Sequence, residues 1–410
     1  MMIFTGQLGG RMLDKLLLNL ERRCNDDDLE KVIEYYQNDV QPDEIAKLAL
    51  VLAGSGIVLS MNSNFADIAS TGGPSSLSTL LCPLYLSSYG LNVLSLGVPG
   101  RPAGGIDVLA QIPGYNTTIS SDYLIYSEPS NSYLHILASE EYAPLDLKLF
   151  QYRKKVNKIN IANLAIASLL SKKIALGVRN VGLDIRVAPF GNFGKNREEA
   201  MKNSELFIEV AQKLGINAQC YLSNAILPYQ PFIGRGEALL ALNLIFDKKS
   251  GSWLEEHKEY CQKMSGLLYE KTTNQTICLA NEISLLNCFE LNLKKQGSSI
   301  YKFYDKVHEI ANEKRYLIKT KEKGYIYYNL EAIRGLLNKA QELDKCNEDI
   351  FPDPAGIILL KKTTEKVEPN DDILSVRCKK EYYSLLKKEI QNLYCIKKNK
   401  IQIDYFEEVI

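Results

Sequence analysis

Short apolar segments alternate with longer amphipathic segments along the middle of the chain, and this alternation restricts the fold more than any other feature. Residues 93–96 (VLSL), Val181 to Val187 and Asn217 to Leu222 have the length and apolar content of buried strands. Between them, Asn160 to Leu176 and Arg197 to Leu214 carry apolar residues at helical spacing. Strands that alternate with helices indicate a largely parallel sheet, which binds ligands beyond the carboxyl ends of its strands.

Two regions of different character flank this part of the chain. The first sixty residues contain three helix-like segments, at Leu13 to Arg23, Asp28 to Gln37 and Pro42 to Ala53. The last ninety residues contain short strand-like segments separated by turns and charges, at Gly324 to Tyr328, Gly356 to Leu360 and Ile373 to Cys378. The predicted fold class is therefore α/β with a largely parallel sheet, together with a small all-α domain and a C-terminal α+β subdomain.

A glycine-containing loop at Asp67 to Thr79 (DIASTGGPSSLST) precedes the apolar run Leu80 to Leu86 and is expected to lead into a helix. Such a loop can direct backbone N–H groups and hydroxyls at an anion, with the positive end of the helix dipole behind them. No Lys, Arg or His lies between Asp67 and Gly100, so a bound phosphate needs a cation from elsewhere. Arg101, in a second glycine-rich loop, is the nearest candidate; an exposed turn residue is an equally good interpretation.

Composition excludes several classes of protein. Lys plus Arg equals Asp plus Glu at 49 each, which favours neither nucleic acid nor a membrane as partner. No apolar stretch is long enough for a transmembrane helix, and the first ten residues are too polar for a signal peptide. Nine cysteines without a CxxC pair and only three histidines predict free thiols in a reducing cytoplasm and no metal site. The histidines are interpreted as structural because they lie far from both glycine loops in sequence.

Several motifs occur in a characteristic order over most of the chain, from about Asp28 to the C-terminus. In chain order they are Asp67 with Ser70-Thr71-Gly72-Gly73, Gly104-Gly105-Ile106-Asp107, Ile112-Pro113-Gly114, Ala143-Pro144, Arg153 and Ala167 to Lys173. This set resembles the class II nucleoside phosphorylases, the family of the thymidine and pyrimidine nucleoside phosphorylases and the archaeal-type AMP phosphorylases. Gly234-Arg235-Gly236 with Glu237 looks more like the AMP phosphorylase branch; Glu237 is equally well interpreted as a helix cap.

The resemblance implies that Arg153, Ser168 and Lys172 bind a pyrimidine base. Arginine offers a planar fork of donors to a base carbonyl, and lysine places positive charge where negative charge builds on the departing base. Ser168 and Lys172 are four residues apart in a predicted helix and therefore share one face. Without the resemblance, a helix-interior hydroxyl and a solvated surface lysine would be the preferred interpretation. Lys172 and Arg153 are the predicted catalytic residues.

The anion-binding half departs from the family pattern. The family loop reads D-K-H-S-x-G-G, in which the lysine binds phosphate and the histidine acts near the base as a proton donor; this chain has Ile68 and Ala69 there. The remaining predicted anion ligands are Ser70, Gly72, Gly73, Thr79 and Arg101. Asp184 and Arg186, at the end of a predicted strand, form either a structural ion pair or a substrate contact. The sequence therefore predicts a degenerate phosphate site.

The resemblance also implies the domain organisation. Residues 1–60 and 145–177 form a helical domain for dimerisation that carries the base-binding helix, and residues 61–144 and 178–315 form the α/β domain with the glycine loops. Residues 316–410 form the C-terminal subdomain. The expected assembly is a homodimer whose cleft closes over its substrate.

These features lead to two hypotheses of function. The first is a pentosyltransferase that cleaves the N-glycosidic bond of a pyrimidine nucleoside or nucleotide, with inorganic phosphate as co-substrate and no other cofactor. The second is a homologue that binds a pyrimidine nucleoside without phosphorolysis, either as a regulator or as a biosynthetic enzyme with a different acceptor. An activity like that of anthranilate phosphoribosyltransferase would need diphosphate and Mg²⁺, and the lack of a charged cluster near the loop disfavours it.

Overall fold

The computed structural model describes residues 3–61, 64–126, 133–191, 193–277, 282–344 and 350–410. The helices are α1 (Ile3–Arg22), α2 (Asp26–Tyr36), α3 (Pro42–Gly54), α4 (Ser78–Ser88), α5 (Gly105–Leu109), α6 (Ser121–Tyr126), α7 (Pro144–Lys155), α8 (Ala162–Ala175), α9 (Arg197–Lys213), α10 (Arg235–Phe246), α11 (Ser252–Thr273), α12 (Glu282–Lys295), α13 (Ile300–Asn312), α14 (Leu330–Leu343) and α15 (Lys380–Ile390). The strands are β1 (Phe65–Ser70), β2 (Asn92–Gly97), β3 (Tyr133–Leu137), β4 (Asn180–Val187), β5 (Asn217–Asn224), β6 (Phe232–Ile233), β7 (Arg315–Lys319), β8 (Gly324–Tyr328), β9 (Ala355–Leu359), β10 (Lys366–Val367), β11 (Asp372–Cys378), β12 (Tyr394–Lys397) and β13 (Glu407–Val409).

The central sheet has six strands in the order β13-β5-β4-β1-β2-β3. The strands from β5 to β3 are parallel, and β13 is antiparallel to β5. Every residue of β4 is buried, as expected for a parallel strand covered by helices on both faces. The predicted fold class, α/β with a largely parallel sheet and helical and α+β parts, is confirmed.

The sheet changes its direction of winding at β1. The chain runs outward from β1 through β2 to β3 and then returns to place β4 on the other side of β1. The helix that follows β1, α4, packs in one apolar cluster with α10 and α11. The helix that follows β4, α9, packs in the cluster on the opposite face, which includes α3. Sheets of this kind bind ligands in the crevice at the carboxyl ends of the two strands where the winding reverses.

The helices α1, α2, α3, α7 and α8 pack together on one face of the sheet. Local sequence defines their starts: the Asn25 side chain accepts a hydrogen bond from the Asp28 backbone N–H (2.9 Å) at the start of α2. Gln41 and Glu44 form a capping box at the start of α3, with Pro42 in the first turn. The α8 helix is buried along most of its length, which holds its polar residues in fixed positions near the sheet.

The C-terminal part contains a four-stranded sheet, β6-β9-β11-β7, and a three-stranded sheet, β10-β8-β12. Two strands link this part to the central sheet. In sequence β6 lies between β5 of the central sheet and α10, but it pairs with β9 of the C-terminal part. The last strand, β13, follows the C-terminal part in sequence and pairs with β5 of the central sheet. The division into three domains with the boundaries given above stays a prediction.

No helix within the described ranges is long and apolar enough to cross a membrane. The seven cysteines that the structure describes are free thiols. Cys278 and Cys346 lie outside the described residues.

Candidate active site

The first glycine loop follows β1 at the crevice between β1 and β4. The Thr71 backbone N–H donates to the Asp184 carbonyl (3.0 Å), and the Thr71 hydroxyl oxygen accepts from the Arg186 backbone N–H (3.0 Å), so β4 holds the loop in place. Gly72 and Gly73 have φ angles of +98° and +145°, which residues with a Cβ rarely adopt. The turn therefore requires glycine at both positions.

The same loop keeps donors available. The Ser70 hydroxyl oxygen accepts from the Gly72 N–H (3.2 Å), and the Thr79 residue lies in the first turn of α4. No described residue accepts a hydrogen bond from the backbone N–H groups of Gly73, Ser75 and Ser76. N–H groups of a glycine loop at a helix N-terminus favour an anion.

Arg101, from the second glycine loop, lies over the first loop. A Cβ on Gly72 would lie 2.7 Å from Nη1 of Arg101, so the absence of a side chain at Gly72 lets the guanidinium approach. The second loop is held by the Asp107 carboxylate, which accepts from the backbone N–H groups of Gly100 (2.8 Å) and Arg101 (3.3 Å) and from Nη2 of Arg235 (2.7 Å). The Arg101 guanidinium has no hydrogen bond or salt bridge to any described residue.

Burial lowers the pKa of Arg101, and this effect outweighs the opposing one of Asp107. Arg334, on α14, lowers the same pKa further. Arg101 in turn contributes to lowering the pKa of Lys172, after burial and Lys173. Arg101 is thus close enough to both Arg334 and Lys172 for their charges to interact.

A second arginine, Arg186, lies beneath Gly73, where an added Cβ would be 3.6 Å from its Cδ. Nε of Arg186 donates to Oδ2 of Asp184 (3.0 Å), and Nη2 donates to the hydroxyls of Ser76 and Ser78. Only 3% of Arg186 is exposed, and its Nη1 has no hydrogen-bond partner among the described residues. The Asp184–Arg186 ion pair therefore supports the loop from below; contact with a substrate stays a prediction.

Ser168 and Lys172 meet on α8, as their spacing indicates. Nζ of Lys172 donates to Oγ of Ser168 (2.8 Å) and to its carbonyl oxygen (2.8 Å), and forms an ion pair with Asp146 in the first turn of α7. Burial lowers the pKa of Lys172 although Asp146 opposes the effect. Asp146 was missed from the sequence; its place two residues after the Ala143-Pro144 motif is the signal that could have found it.

Arg153 lies at the other end of α7. Its Nε donates to the carbonyl of Lys158 (3.2 Å) and its Nη2 to the carbonyl of Ile159 (2.6 Å), both in the turn between α7 and α8. Burial lowers the pKa of Arg153 to about 10, and Asp146 opposes this shift. Asp146 therefore interacts electrostatically with two of the three predicted base-binding residues, which lie in one region of the helical layer.

An ion pair joins α8 to the first glycine loop. Lys173 contacts the carboxylate of Asp67 in β1, and the hydroxyl of Ser95 in β2 donates to the same carboxylate (2.6 Å). His135 lies next to this group, with Nε2 3.0 Å from the position of a Cβ on Gly97. Burial lowers the pKa of His135 to about 4, so the ring is neutral near pH 7.

The structure brings two histidines to the glycine loops, although they are distant in sequence. His135 lies against the second loop, with its Cε1 2.6 Å from the position of a Cβ on Gly105. Nε2 of His257 accepts a hydrogen bond from the Leu77 N–H (2.9 Å) at the start of α4. Burial lowers the pKa of His257 well below its ordinary value, with a further contribution from Arg186. The sequence offered no signal for either placement.

Ile68 and Ala69 lie within β1 and contribute no polar group to the crevice. Ile68 is 2% exposed, and its Cγ1 would be 2.7 Å from a Cβ on Gly182, the paired residue of β4. Its side chain packs in the same apolar cluster as Tyr221. Ala69 packs against the cluster on the opposite face.

Glu237, in the Gly-Arg-Gly-Glu segment, belongs to a buried ion network outside the crevice. Nε and Nη2 of Arg377 donate to its carboxylate (2.8 and 2.9 Å), and Arg315 donates at 3.0 Å. A Cβ on Gly356 would lie 1.4 Å from Oε2 of Glu237, so glycine is needed there. This carboxylate joins α10 to the C-terminal sheet.

No family model matches this chain. The pyrimidine-nucleoside phosphorylase of Staphylococcus epidermidis is 26% identical over 357 residues, which cover 82% of this chain and 81% of the relative. That of Geobacillus stearothermophilus is 23% identical over 366 residues, covering 85% and 83%. Anthranilate phosphoribosyltransferases from Thermus thermophilus and Saccharomyces cerevisiae have TM-scores of 0.44 and 0.43 at 12% and 13% identity, covering 72% of this chain and 97% and 92% of theirs. The chain is thus similar to pyrimidine-nucleoside phosphorylases over most of its length.

Proposed function

We propose that the chain is a pentosyltransferase that cleaves the N-glycosidic bond of a pyrimidine nucleoside or nucleotide, as a divergent relative of the class II nucleoside phosphorylases. The observation that carries the proposal is the position of Arg101. Its guanidinium, which has no hydrogen bond or salt bridge to a described residue, lies over Gly72 and interacts with Lys172, so an anion cradle and the proposed base-binding helix face one another. The similarity to pyrimidine-nucleoside phosphorylases supports the class of base and the type of reaction.

The base half would act through charge. As the N-glycosidic bond breaks, negative charge develops on the base, and the ammonium of Lys172 stabilises it most in a site from which water is excluded. Ser168 and Arg153 orient the base through hydrogen bonds. Asp146 has a positioning role, since its ion pair keeps the ammonium of Lys172 beside Ser168.

The acceptor half would hold inorganic phosphate on Ser70, Gly72, Gly73 and Thr79, with Arg101 as its cation. A phosphate oxygen would attack C1′ of the pentose while the bond to the base breaks through an oxocarbenium-like state. The backbone N–H groups and the guanidinium position this oxygen and lower the repulsion between phosphate and the departing base. The proposed reaction needs no other cofactor, and the proposed assembly is a cytoplasmic homodimer.

The second candidate function is binding of a pyrimidine nucleoside without phosphorolysis. The observation that favours it is the apolar surroundings of Ile68 and Ala69, which leave no side chain at those positions to bind phosphate or donate a proton. General acid assistance is typically worth roughly 10²–10⁴-fold in rate. A protein of this kind would be a regulator or a biosynthetic enzyme with another acceptor.

One experiment separates the two functions. The protein is incubated with uridine, thymidine, cytidine and their 5′-monophosphates, with and without inorganic phosphate, and free base is measured by chromatography. The Lys172→Met variant should lose base release, whereas Lys387→Gln, an exposed charge on α15, should keep it. Phosphate-dependent release supports the first function; a rise in melting temperature with a nucleoside, without any release, supports the second and refutes the first.

A further inference from the structure

Arg334, from the C-terminal part of the chain, lies at the same edge of the central sheet as the glycine loops. Its guanidinium carbon is 5.7 Å from the centroid of the Phe190 ring, and Phe190 follows the carboxyl end of β4 by three residues. The first glycine loop follows β1, the strand next to β4. Arg334 is therefore close to the loop that follows β4, and Arg101 is close to the loop that follows β1.

Two cations from other elements lie near Arg101 or the second glycine loop, and the charge of one of them, Arg334, acts on Arg101. Arg101 belongs to the loop, Arg334 to α14, and Lys154 to α7, with its Nζ 3.9 Å from the position of a Cβ on Gly100. Among the described residues, none of these three side chains has a hydrogen bond or a salt bridge. The nearby acid, Asp107, directs its oxygens at backbone N–H groups and at Arg235 instead.

Such a group of like charges has a physical cost. Arg101 and Arg334, which are both partly buried, repel one another, and burial adds a desolvation penalty to the charge of Arg101; Lys154 is exposed. An anion with two negative charges placed between the two guanidinium groups offsets this repulsion. Guanidinium groups suit a phosphoryl group in particular because their donors match its oxygens in pairs.

We propose that Arg334 and Arg101 together bind a phosphoryl dianion between α14 and the first glycine loop, so that the C-terminal part of the chain supplies part of the site. This inference rests on the proposed function, because the anion would lie at the glycine loop that is proposed to hold the acceptor phosphate. The ligand is either free phosphate or the 5′-phosphate of a nucleotide, which offer the same chemistry. The Phe190 ring holds the Arg334 guanidinium in position through a cation–π contact.

Equilibrium binding tests this without requiring turnover. Affinities for inorganic phosphate, uridine 5′-monophosphate and uridine are measured by isothermal titration calorimetry in chloride buffer, for the wild type, Arg334→Gln, Arg334→Lys and the control Lys387→Gln. Losing a charge-assisted hydrogen bond weakens binding by about tenfold or more. We expect Arg334→Gln to show this loss for phosphate or for uridine 5′-monophosphate, Arg334→Lys to retain part of the affinity, and uridine to bind equally to all four proteins.

Loss with phosphate alone assigns the anion to the free acceptor, and loss with uridine 5′-monophosphate but not uridine assigns it to the nucleotide; both support the proposal. It is overturned if Arg334→Gln binds both anions like the wild type, if Lys387→Gln loses as much, if uridine binding falls in parallel, or if the wild type binds neither anion. Base release separates the two proposals. Arg334-dependent anion binding without any base release would refute only the proposed function, and base release with Arg334-independent anion binding would refute only this inference.

Discussion

The two glycines of the first loop provide a matched pair of substitutions, Gly72→Ala and Gly73→Ala. Both alanines would have positive φ angles, +98° and +145°, and each would cost about 1–3 kcal/mol of backbone strain. The Cβ atoms would meet different neighbours. At Gly72 the Cβ would lie 2.7 Å from Nη1 of Arg101, whereas at Gly73 the nearest atom, Cδ of Arg186, would be 3.6 Å away, an ordinary contact.

Nη1 is the free end of a flexible side chain, so Arg101 moves away from the Gly72→Ala methyl group at little cost in stability. Its charge-assisted hydrogen bonds to an anion are then lost, which is worth about 1.5–3 kcal/mol, or roughly 10- to 150-fold in affinity. We therefore expect Gly72→Ala to bind inorganic phosphate at least tenfold more weakly than Gly73→Ala. The two variants should unfold at similar temperatures, because both alanines carry backbone strain and Arg101 can move away from the methyl group at position 72.

Calorimetric titration with phosphate measures the first difference and differential scanning calorimetry the second. A double-mutant cycle with Arg101→Gln gives the decisive control: in that background Gly72→Ala should cost no further phosphate affinity, because the group it displaces is already absent. Equal phosphate affinities for Gly72→Ala and Gly73→Ala, or additive effects of Gly72→Ala and Arg101→Gln, would refute the assignment of Arg101 as the cation of the cradle.

Three further predictions concern the surroundings of the site. Asp146→Asn leaves the buried Lys172 without its partner, and Lys172→Met leaves the buried Asp146 carboxylate without its cation, so each should lower the free energy of unfolding by about 3 kcal/mol. The double variant should cost less than the sum of the two, and urea denaturation of the three variants measures the difference. The pKa of His135 is about 4 in the folded chain, against an ordinary value of 6.5. As the pH falls, the imidazole of the unfolded chain is protonated before that of the folded chain. The stability present above pH 6.5 is therefore lost as the pH falls towards 4. His135→Gln should remove about 3 kcal/mol of that loss in denaturation curves between these pH values; an unchanged pH dependence would contradict it. Gly356→Ala would place a Cβ 1.4 Å from a buried, paired carboxylate oxygen and should cost about 3 kcal/mol or more of stability, whereas Gly335→Ala, with open space on α14, should be neutral or stabilising in the same thermal unfolding assay.

The strands and helices of the central part could be predicted because their apolar periodicity is local. The predicted strand Val181 to Val187 corresponds to β4 at Asn180–Val187, and the predicted helix Arg197 to Leu214 to α9 at Arg197–Lys213. Pairing between strands that are far apart in sequence has no comparable local pattern. The strand β13 pairs with β5 across nearly two hundred residues, and nothing in its three residues indicates that partner.

The candidate site divides in the same way. Ser168 and Lys172 were predictable as neighbours because helical spacing alone places them on one face. The residues that act on the charges of the candidate site come from other elements: Asp146 of α7 pairs with Lys172, and Arg334 of α14 repels Arg101. Motif order suggested the candidate residues, but only the folded chain shows which of their charges are paired with another described residue and which are not.

Ile68 shows how a missing charge can be interpreted differently once neighbours are known. In a parallel pair, residues in register point to the same face, so Ile68 of β1 shares a face with its partner Gly182 and with Asp184 and Arg186, two and four residues further along β4. A lysine in place of Ile68 would enter the buried layer where Arg186 already pairs with Asp184. The cation that the first loop lacks in sequence is thus present in space, beneath the loop as Arg186 and above it as Arg101. Asp184 neutralises Arg186, whereas Arg101 has no acidic partner among the described residues. The net positive charge over the loop therefore comes from Arg101, which a comparison of sequences at position 68 alone would not reveal.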